Sequence, residues 1–200
     1  MRTLSQNSQA QLLTSIPERS AFGAREQAMI RFTTLTGLRV GELVGLVVEN
    51  VCGTKPDGTG RRVRQVLDLP AAIAKGGRPR AIPLNAEARQ AVLEILKFNH
   101  MRGFSVEPDA PLFPNREHRA MSTRAVRRML EKHCQRADLD QAVSPHDLRH
   151  TYGSRLVERD VPTHTVQVLM GHVRLSSTQR YLHANAEQLA AAVARLSESR

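Results

Sequence analysis

The sequence lacks the features that mark secreted, membrane or repetitive proteins. Its 200 residues hold only two cysteines, Cys52 and Cys134, far apart and with no secretory signal before them. This argues against a disulfide scaffold and indicates reduced, structural thiols. No apolar run approaches the roughly 20 residues of a membrane-spanning helix. Internal repeats and low-complexity linkers are also absent, so we expect a single cytoplasmic domain and no membrane partner.

Acidic residues are scarce relative to basic ones. The chain has 29 Lys and Arg against 19 Asp and Glu, a formal net charge of +10. An excess of this size suits a polyanion, and nucleic acid is the first candidate. A merely soluble basic protein could carry the same charge, so charge alone does not decide between them.

One stretch, residues 144–183, begins with the chemistry of a helix start. Ser144 is typical of an N-cap, Pro145 of the first helical position and Asp147 of the acid in a capping box. His146 and Arg149 are three apart, so they share one face near the positive end of this helix. The pattern predicts a phosphate-binding site.

A second predicted helix in this stretch ends just before another histidine. The apolar pattern covers 163–170, and Gly171 can adopt the left-handed conformation that ends helices. His172 therefore follows a rigid stop, and Tyr181 lies nine residues further on. Taken alone, such a tyrosine is more often a packed aromatic.

Two earlier segments carry charged residues in a comparable setting. Residues 36–43, TGLRVGEL, hold Arg39 and Glu42 one helical turn apart, a pair that in isolation is usually a weak surface ion pair. Residues 74–84, AKGGRPRAIPL, are typical of a strand, turn and returning strand, and they carry Lys75. The competing lysine, Lys55, lies in a turn-rich loop without strand context.

Together these motifs resemble the phage integrase (tyrosine recombinase) family. H-x-x-R, G-H and the later tyrosine look like its C-terminal signature, and the two earlier segments look like its arginine box and lysine hairpin. Four motifs in the family's order are far more specific than any one. The catalytic set that the resemblance implies is Arg39, Lys75, His146, Arg149, His172 and Tyr181, with Glu42 as a supporting acid.

The reaction that the resemblance implies is transesterification at a DNA phosphodiester. The Tyr181 oxygen attacks phosphorus, a 5′-hydroxyl leaves, and a 3′-phosphotyrosyl intermediate forms. The 5′-hydroxyl of a second strand then attacks that phosphorus, which rejoins the DNA and releases the tyrosine. This chemistry needs neither metal nor cofactor. His146 and His150 have zinc-like spacing, but Asp147 stands where the H-E-x-x-H motif has glutamate, so a metal site is disfavoured.

The resemblance also assigns roles, and elementary chemistry makes them reasonable. Guanidinium groups such as those of Arg39 and Arg149 stabilise the charge on the non-bridging oxygens, with His172 as a further donor. A tyrosine with a pKa near 10 is only about one part in a thousand ionised at pH 7, so His146 is the candidate base. Lys75 is the candidate acid for the leaving oxygen.

The expected fold is mostly α with a small antiparallel β-sheet near residues 62–84, the α+β catalytic-domain fold of the family. Arg62 to Leu69 alternates like one strand, with a turn at 75–78. Caps and periodicity predict helices at 5–14, 25–36, 40–47, 85–101 and from Ser122 onward. The 85–101 helix is predicted to turn Ala88, Val92, Leu93 and Leu96 inward.

Several basic residues are candidate DNA contacts. They are Arg78 and Arg80 beside the lysine, and a stripe of Arg124, Arg127 and Arg128 on the helix that Ser122 begins. Such a stripe can equally be a solvated helix face. The expected partners are double-stranded DNA and, by the resemblance, further copies of the chain, as a tetramer on two sites.

The domain expectation is a single catalytic domain over 1–200, without the N-terminal core-binding domain of most family members. It is either a short recombinase or a catalytic fragment. Its C-terminal helix, within 184–200, either folds back on its own domain or docks on a neighbouring protomer. Two rival functions remain: a type IB topoisomerase, which would relax DNA without recombinant products, and an integrase-derived DNA-binding regulator, which need not keep Lys75 or Tyr181.

Overall fold

Eight α-helices and four short strands form the described part of the chain. The computed structural model describes residues 3–17, 20–55, 58, 60–171 and 186–197. The helices are α1 Gln6–Thr14, α2 Gly23–Thr36, α3 Val40–Gly45, α4 Ala86–Met101, α5 Thr123–Arg136, α6 Pro145–Glu158, α7 Thr163–Met170 and α8 Ala186–Ala194. The strands are β1 Cys52–Thr54, β2 Arg61–Val63, β3 Val66–Leu69 and β4 Arg80–Pro83. This architecture confirms the predicted mostly α fold with small antiparallel sheets, and none of these helices combines the length and apolarity needed to cross a membrane.

Side-chain caps start the helices where the sequence predicts them. Asn85 Oδ1 accepts the Ala88 N–H at 2.9 Å at the start of α4. At the start of α6, Ser144 Oγ accepts the Asp147 N–H at 3.3 Å and Asp147 Oδ2 accepts the Ser144 N–H at 3.0 Å. This reciprocal pair satisfies two N–H groups that the helix leaves unpaired.

The predicted single strand at 62–69 is wrong, because the chain changes partners within it. β2 pairs with β1 and β3 pairs with β4, both antiparallel, in two separate sheets. The predicted tight turn at 75–78 lies inside a longer connection, residues 70–79. Pro70 and Pro79 bound that connection, and a proline has no N–H to extend a ladder.

Two apolar clusters hold the elements together. The larger lies around α2 and includes the fully buried Phe32, Leu67 and Phe113. The smaller joins α6, α7 and α8 around the fully buried Tyr152, with Leu169 and Val193 among its members. In this structure α8 therefore packs against its own domain.

One predicted core residue faces solvent. Leu93 of α4 is 50% exposed, whereas Ala88, Val92 and Ile95 are fully buried. The buried face of α4 also includes Asn99, whose side-chain amide donates to Leu112 O at 3.1 Å. With 3.6 residues per turn, the buried residues of α4 share one face of the helix, and Leu93 lies outside that face.

Gly37→Ala is expected to destabilise the fold more than an ordinary left-handed glycine substitution. Gly37 ends α2 with φ 62°, and a Cβ there would lie 2.3 Å from Cδ1 of Tyr152. Left-handed strain plus overpacking should lower the free energy of unfolding by about 2–4 kcal/mol. Gly77→Ala is the matched control, since Gly77 has φ 67° and its added Cβ meets nothing within 4 Å. Equal losses for both variants in urea unfolding would contradict this account.

Candidate active site

The ends of two helices hold the two predicted catalytic arginines. α2 and α7 each end at a left-handed glycine, Gly37 and Gly171. The last carbonyls of a helix are unpaired within it and carry partial negative charge. Arg149 donates through Nη1 to Gly37 O at 2.5 Å and through Nη2 to Met170 O. Arg39 donates through Nη2 to Gly171 O at 3.2 Å, so each guanidinium is bound by the end of a helix other than its own.

The buried carboxylate of Glu42 connects α3 to two other segments of the site. Glu42, with a side chain only 1% exposed, accepts from the Arg39 backbone N–H at 2.9 Å and from Arg39 Nη1 at 3.0 Å. Arg80 donates to both of its oxygens, through Nη1 at 3.0 Å and Nη2 at 2.8 Å. The Lys75 backbone N–H donates at 3.3 Å. Glu42 thereby links α3, β4 and the β3–β4 connection.

The charges in this cluster favour an anionic ligand. Burial raises the pKa of Glu42, but hydrogen bonds from Arg80 and from the backbones of Arg39 and Lys75 outweigh it and lower the pKa to about 2. Burial, helped by the nearby Arg39 charge, lowers the pKa of Arg149 to about 10, so Arg149 remains a cation at neutral pH. Three guanidinium groups and one carboxylate leave a net positive site, which suits a phosphate.

The candidate base and acid are exposed residues on segments that also carry or contact the charged cluster. His146 is exposed on the first turn of α6, three residues before Arg149. Lys75 is exposed in the β3–β4 connection, and its backbone reaches Glu42. Lys55, the competing lysine, lies in the β1–β2 hairpin connection, where its N–H donates to Gly60 O at 2.7 Å. The contact with Glu42 favours Lys75 as the lysine of the site.

His172 and Tyr181 lie outside the residues that the structure describes. Gly171 is the last described residue before them, and its carbonyl is bound to Arg39. Their roles remain predictions. The structure thus brings together Arg39, Glu42, Lys75 and Arg149 from the predicted set.

The predicted DNA contacts differ in where they lie. Arg124, Arg127 and Arg128 are exposed on α5, and Arg78 is exposed in the β3–β4 connection. Arg80 instead directs its guanidinium inward onto Glu42, with a side chain 12% exposed. Sequence reasoning missed this pairing. The available signal was that Arg80 follows Lys75 closely, but only the fold shows that β4 passes beside α3.

Comparisons with known proteins find a family model and curated relatives that cover most of this chain. The model of the phage integrase family matches residues 2–188. The chain is 32% identical to the tyrosine recombinase XerC of Pelobacter propionicus over 182 residues, covering 90% of this chain and 55% of that protein. It is 32% identical to the tyrosine recombinase XerD of Corynebacterium glutamicum over 190 residues, covering 94% and 58%. The chain therefore spans a little over half the length of these relatives.

Solved structures share the fold. A XerA recombinase superposes with a TM-score of 0.65 at 22% identity, covering 100% of this chain and 67% of that one. A XerH site-specific recombinase bound to its difH substrate gives 0.67 at 21% identity, covering 87% and 48%. The integrase of mycobacterium phage Brujita gives 0.65 at 21% identity, covering 100% and 61%.

Glu42 is expected to make stability depend on pH in the acid range. Its pKa in the folded state, about 2, lies below the ordinary value of 4.5, so its stabilisation is complete above about pH 5 and is lost as pH falls toward 2. Relative to Glu42→Gln, the wild-type chain should lose about 3 kcal/mol of unfolding free energy across this window. Urea unfolding at several pH values measures it.

Glu107→Gln is the control for this measurement. Glu107 pairs with Arg61 at 2.6 Å, but its side chain is 68% exposed, so solvent screens the pair. Its stability profile should run parallel to that of the wild-type chain. A parallel profile for Glu42→Gln as well would contradict the assignment.

Proposed function

Because the chain belongs to the phage integrase family of tyrosine recombinases, we propose that it cleaves and rejoins DNA at specific sites through a 3′-phosphotyrosyl intermediate. The observation that carries the proposal is the pair of arginines, Arg39 and Arg149, each bound to the end of a helix other than its own. Such a pair, fixed before the substrate arrives, is suited to a phosphodiester whose negative charge grows during the reaction.

Preorganisation is the physical advantage of this arrangement. In the pentavalent transition state, extra negative charge develops on the non-bridging oxygens. The carbonyls of Gly37, Met170 and Gly171 already orient the guanidinium groups, so little reorganisation is needed when that charge appears. Lysine at either arginine position would keep the charge but lose the planar fork.

The remaining steps move protons and form the covalent bond. We assign Tyr181 as the nucleophile and His172 as a further donor to the phosphate. His146, exposed at the start of α6, is our candidate to accept the tyrosine proton. Lys75, held near the arginines through its backbone contact with Glu42, is our candidate to protonate the departing 5′-hydroxyl.

Double-stranded DNA is the partner that we propose. The net charge of +10 and the exposed arginines of α5 support backbone contacts. The solved XerH relative is bound to its difH substrate. We further propose that four copies assemble on two sites and that the protein acts in the cytoplasm, where bacterial DNA lies.

Tyr181→Phe is expected to abolish covalent product while retaining DNA binding. The assay incubates nicked duplexes drawn from DNA flanking the gene with the protein, without metal, and looks for a protein-linked band on denaturing gels. The chain has two tyrosines, so Tyr152→Phe is the matched control. The Tyr152 hydroxyl has no hydrogen-bond partner among the described residues, and its loss should leave the band intact.

Each other outcome has a definite meaning. A band that persists in Tyr181→Phe would contradict the assigned nucleophile. DNA binding without any band in the wild-type chain would favour the integrase-derived regulator, or a reaction that needs the further length present in the curated relatives. Relaxation of supercoils without recombinant products would favour the topoisomerase.

Arg149→Ala is expected to slow formation of covalent product by about 10²- to 10³-fold in single-turnover assays, with a smaller loss of affinity. The reason is that its guanidinium acts mainly on charge that develops in the transition state. Arg159→Ala is the control, because Arg159 directly follows the last residue of α6 and lies about 15 Å from Arg149 along the helix axis. A loss confined to affinity would contradict the assigned role.

A further inference from the structure

Arg80 lies on the interior side of the site, next to Glu42. It is the first residue of β4, and both of its Nη atoms donate to the two oxygens of Glu42. Its Nε is also buried, without a hydrogen-bond partner among the described residues. The planar fork therefore faces the protein interior, where it matches the carboxylate edge to edge.

The other side of this guanidinium lies against the end of α7. A Cβ built on Gly171 would come within 3.0 Å of Arg80 Nη1 and 3.2 Å of its Cδ and Cζ. Gly171 also supplies the carbonyl that accepts Arg39 Nη2. Arg80 consequently binds one group that orients Arg39, the carboxylate of Glu42, and lies next to the other, the backbone of Gly171.

We propose that Arg80 is a positioning residue for the cleavage reaction: it fixes the Glu42 carboxylate and the end of α7 so that Arg39 is aimed at the phosphate. It does not itself contact the DNA. The inference rests on the proposed function for its meaning in catalysis, while its geometric part concerns the free protein alone.

The charges around Glu42 explain why Arg80 matters. Glu42 faces Arg39 from the start of α3, Arg80 from β4, the Lys75 N–H from the β3–β4 connection and the charge of Arg149 from α6. Arg80 gives the only contact in this set that binds both carboxylate oxygens through one side chain. Without it, burial favours the protonated carboxyl, which holds a guanidinium less firmly.

The first test measures the titration of Glu42 in the free protein by carboxyl ¹³C NMR. Arg80→Gln should raise the pKa of Glu42, and Arg80→Lys should raise it less, since lysine keeps the charge without the fork. Arg61→Gln is the matched control, because it removes an exposed arginine whose partner is Glu107. An unchanged titration in both Arg80 variants would overturn the inference whatever the DNA assays show.

The second test follows covalent product formation on nicked duplexes in single turnover. Arg80→Gln should be about 10- to 100-fold slower, a loss typical of small misplacements in an active site. The rate of Arg80→Gln should fall further as pH falls through the raised pKa of Glu42. The pH–rate profile of the wild-type chain should lack this decrease. In a Glu42→Gln background, adding Arg80→Gln should cost little more, because its target is already gone.

Direct contact of Arg80 with DNA would give a different pattern. The losses from Glu42→Gln and Arg80→Gln would then multiply, and the salt dependence of DNA binding would fall by about one phosphate contact in Arg80→Gln. Either result would overturn the positioning role. If Arg80→Gln does not fold, Arg80→Lys carries both tests. A wild-type chain that forms no covalent product would defeat the proposed function, and the NMR titration would still decide whether Arg80 sets the state of Glu42.

Discussion

The site depends on the hydrogen bonds and ion pairs that the buried carboxylate of Glu42 makes with Arg39 and Arg80. Arg39, Arg80 and Arg149 come from three separate elements, and their positive charges repel one another. A carboxylate at the centre offsets that repulsion and gives Arg39 and Arg80 defined hydrogen-bond geometry. Removing one partner from a buried ion pair leaves an uncompensated buried charge, which costs far more free energy than breaking a surface ion pair. The charged residues of this cluster therefore depend on one another.

Helix ends contribute the second half of the arrangement. Carbonyls at the end of a helix need donors, and guanidinium groups are planar, permanently charged donors with several N–H groups. Ending α2 and α7 at glycines leaves the backbone bare where Tyr152 and Arg80 approach it. The same backbone geometry thus ends each helix, presents its carbonyl and admits a close neighbour.

The sequence predicted most of what depends on local chemistry. Caps at Asn85 and Ser144 and the stops at Gly37 and Gly171 could be read directly, because each is decided by one residue and its immediate neighbours. The division of 62–69 into two strands could not, since a strand's choice of partner is settled by the rest of the fold.

The same distinction applies to the site. Arg39, Glu42 and Arg149 could be predicted through their motifs, and the structure brings them together. The inward turn of Arg80 depends on β4 passing beside α3, a long-range contact that no spacing in the sequence records. Leu93 shows the limit on a smaller scale, because a shift of one position rotates a side chain of α4 by about 100°.

Arg39 is bound by the end of a helix that is synthesised much later than Arg39 itself. Arg39 leaves the ribosome long before Gly171, the residue whose carbonyl helps to orient it. A nascent chain that ends before α7 therefore carries the first arginine without its complete support. Domains generally fold as units, and here Arg39 gains its complete support only after the chain has been synthesised through Gly171.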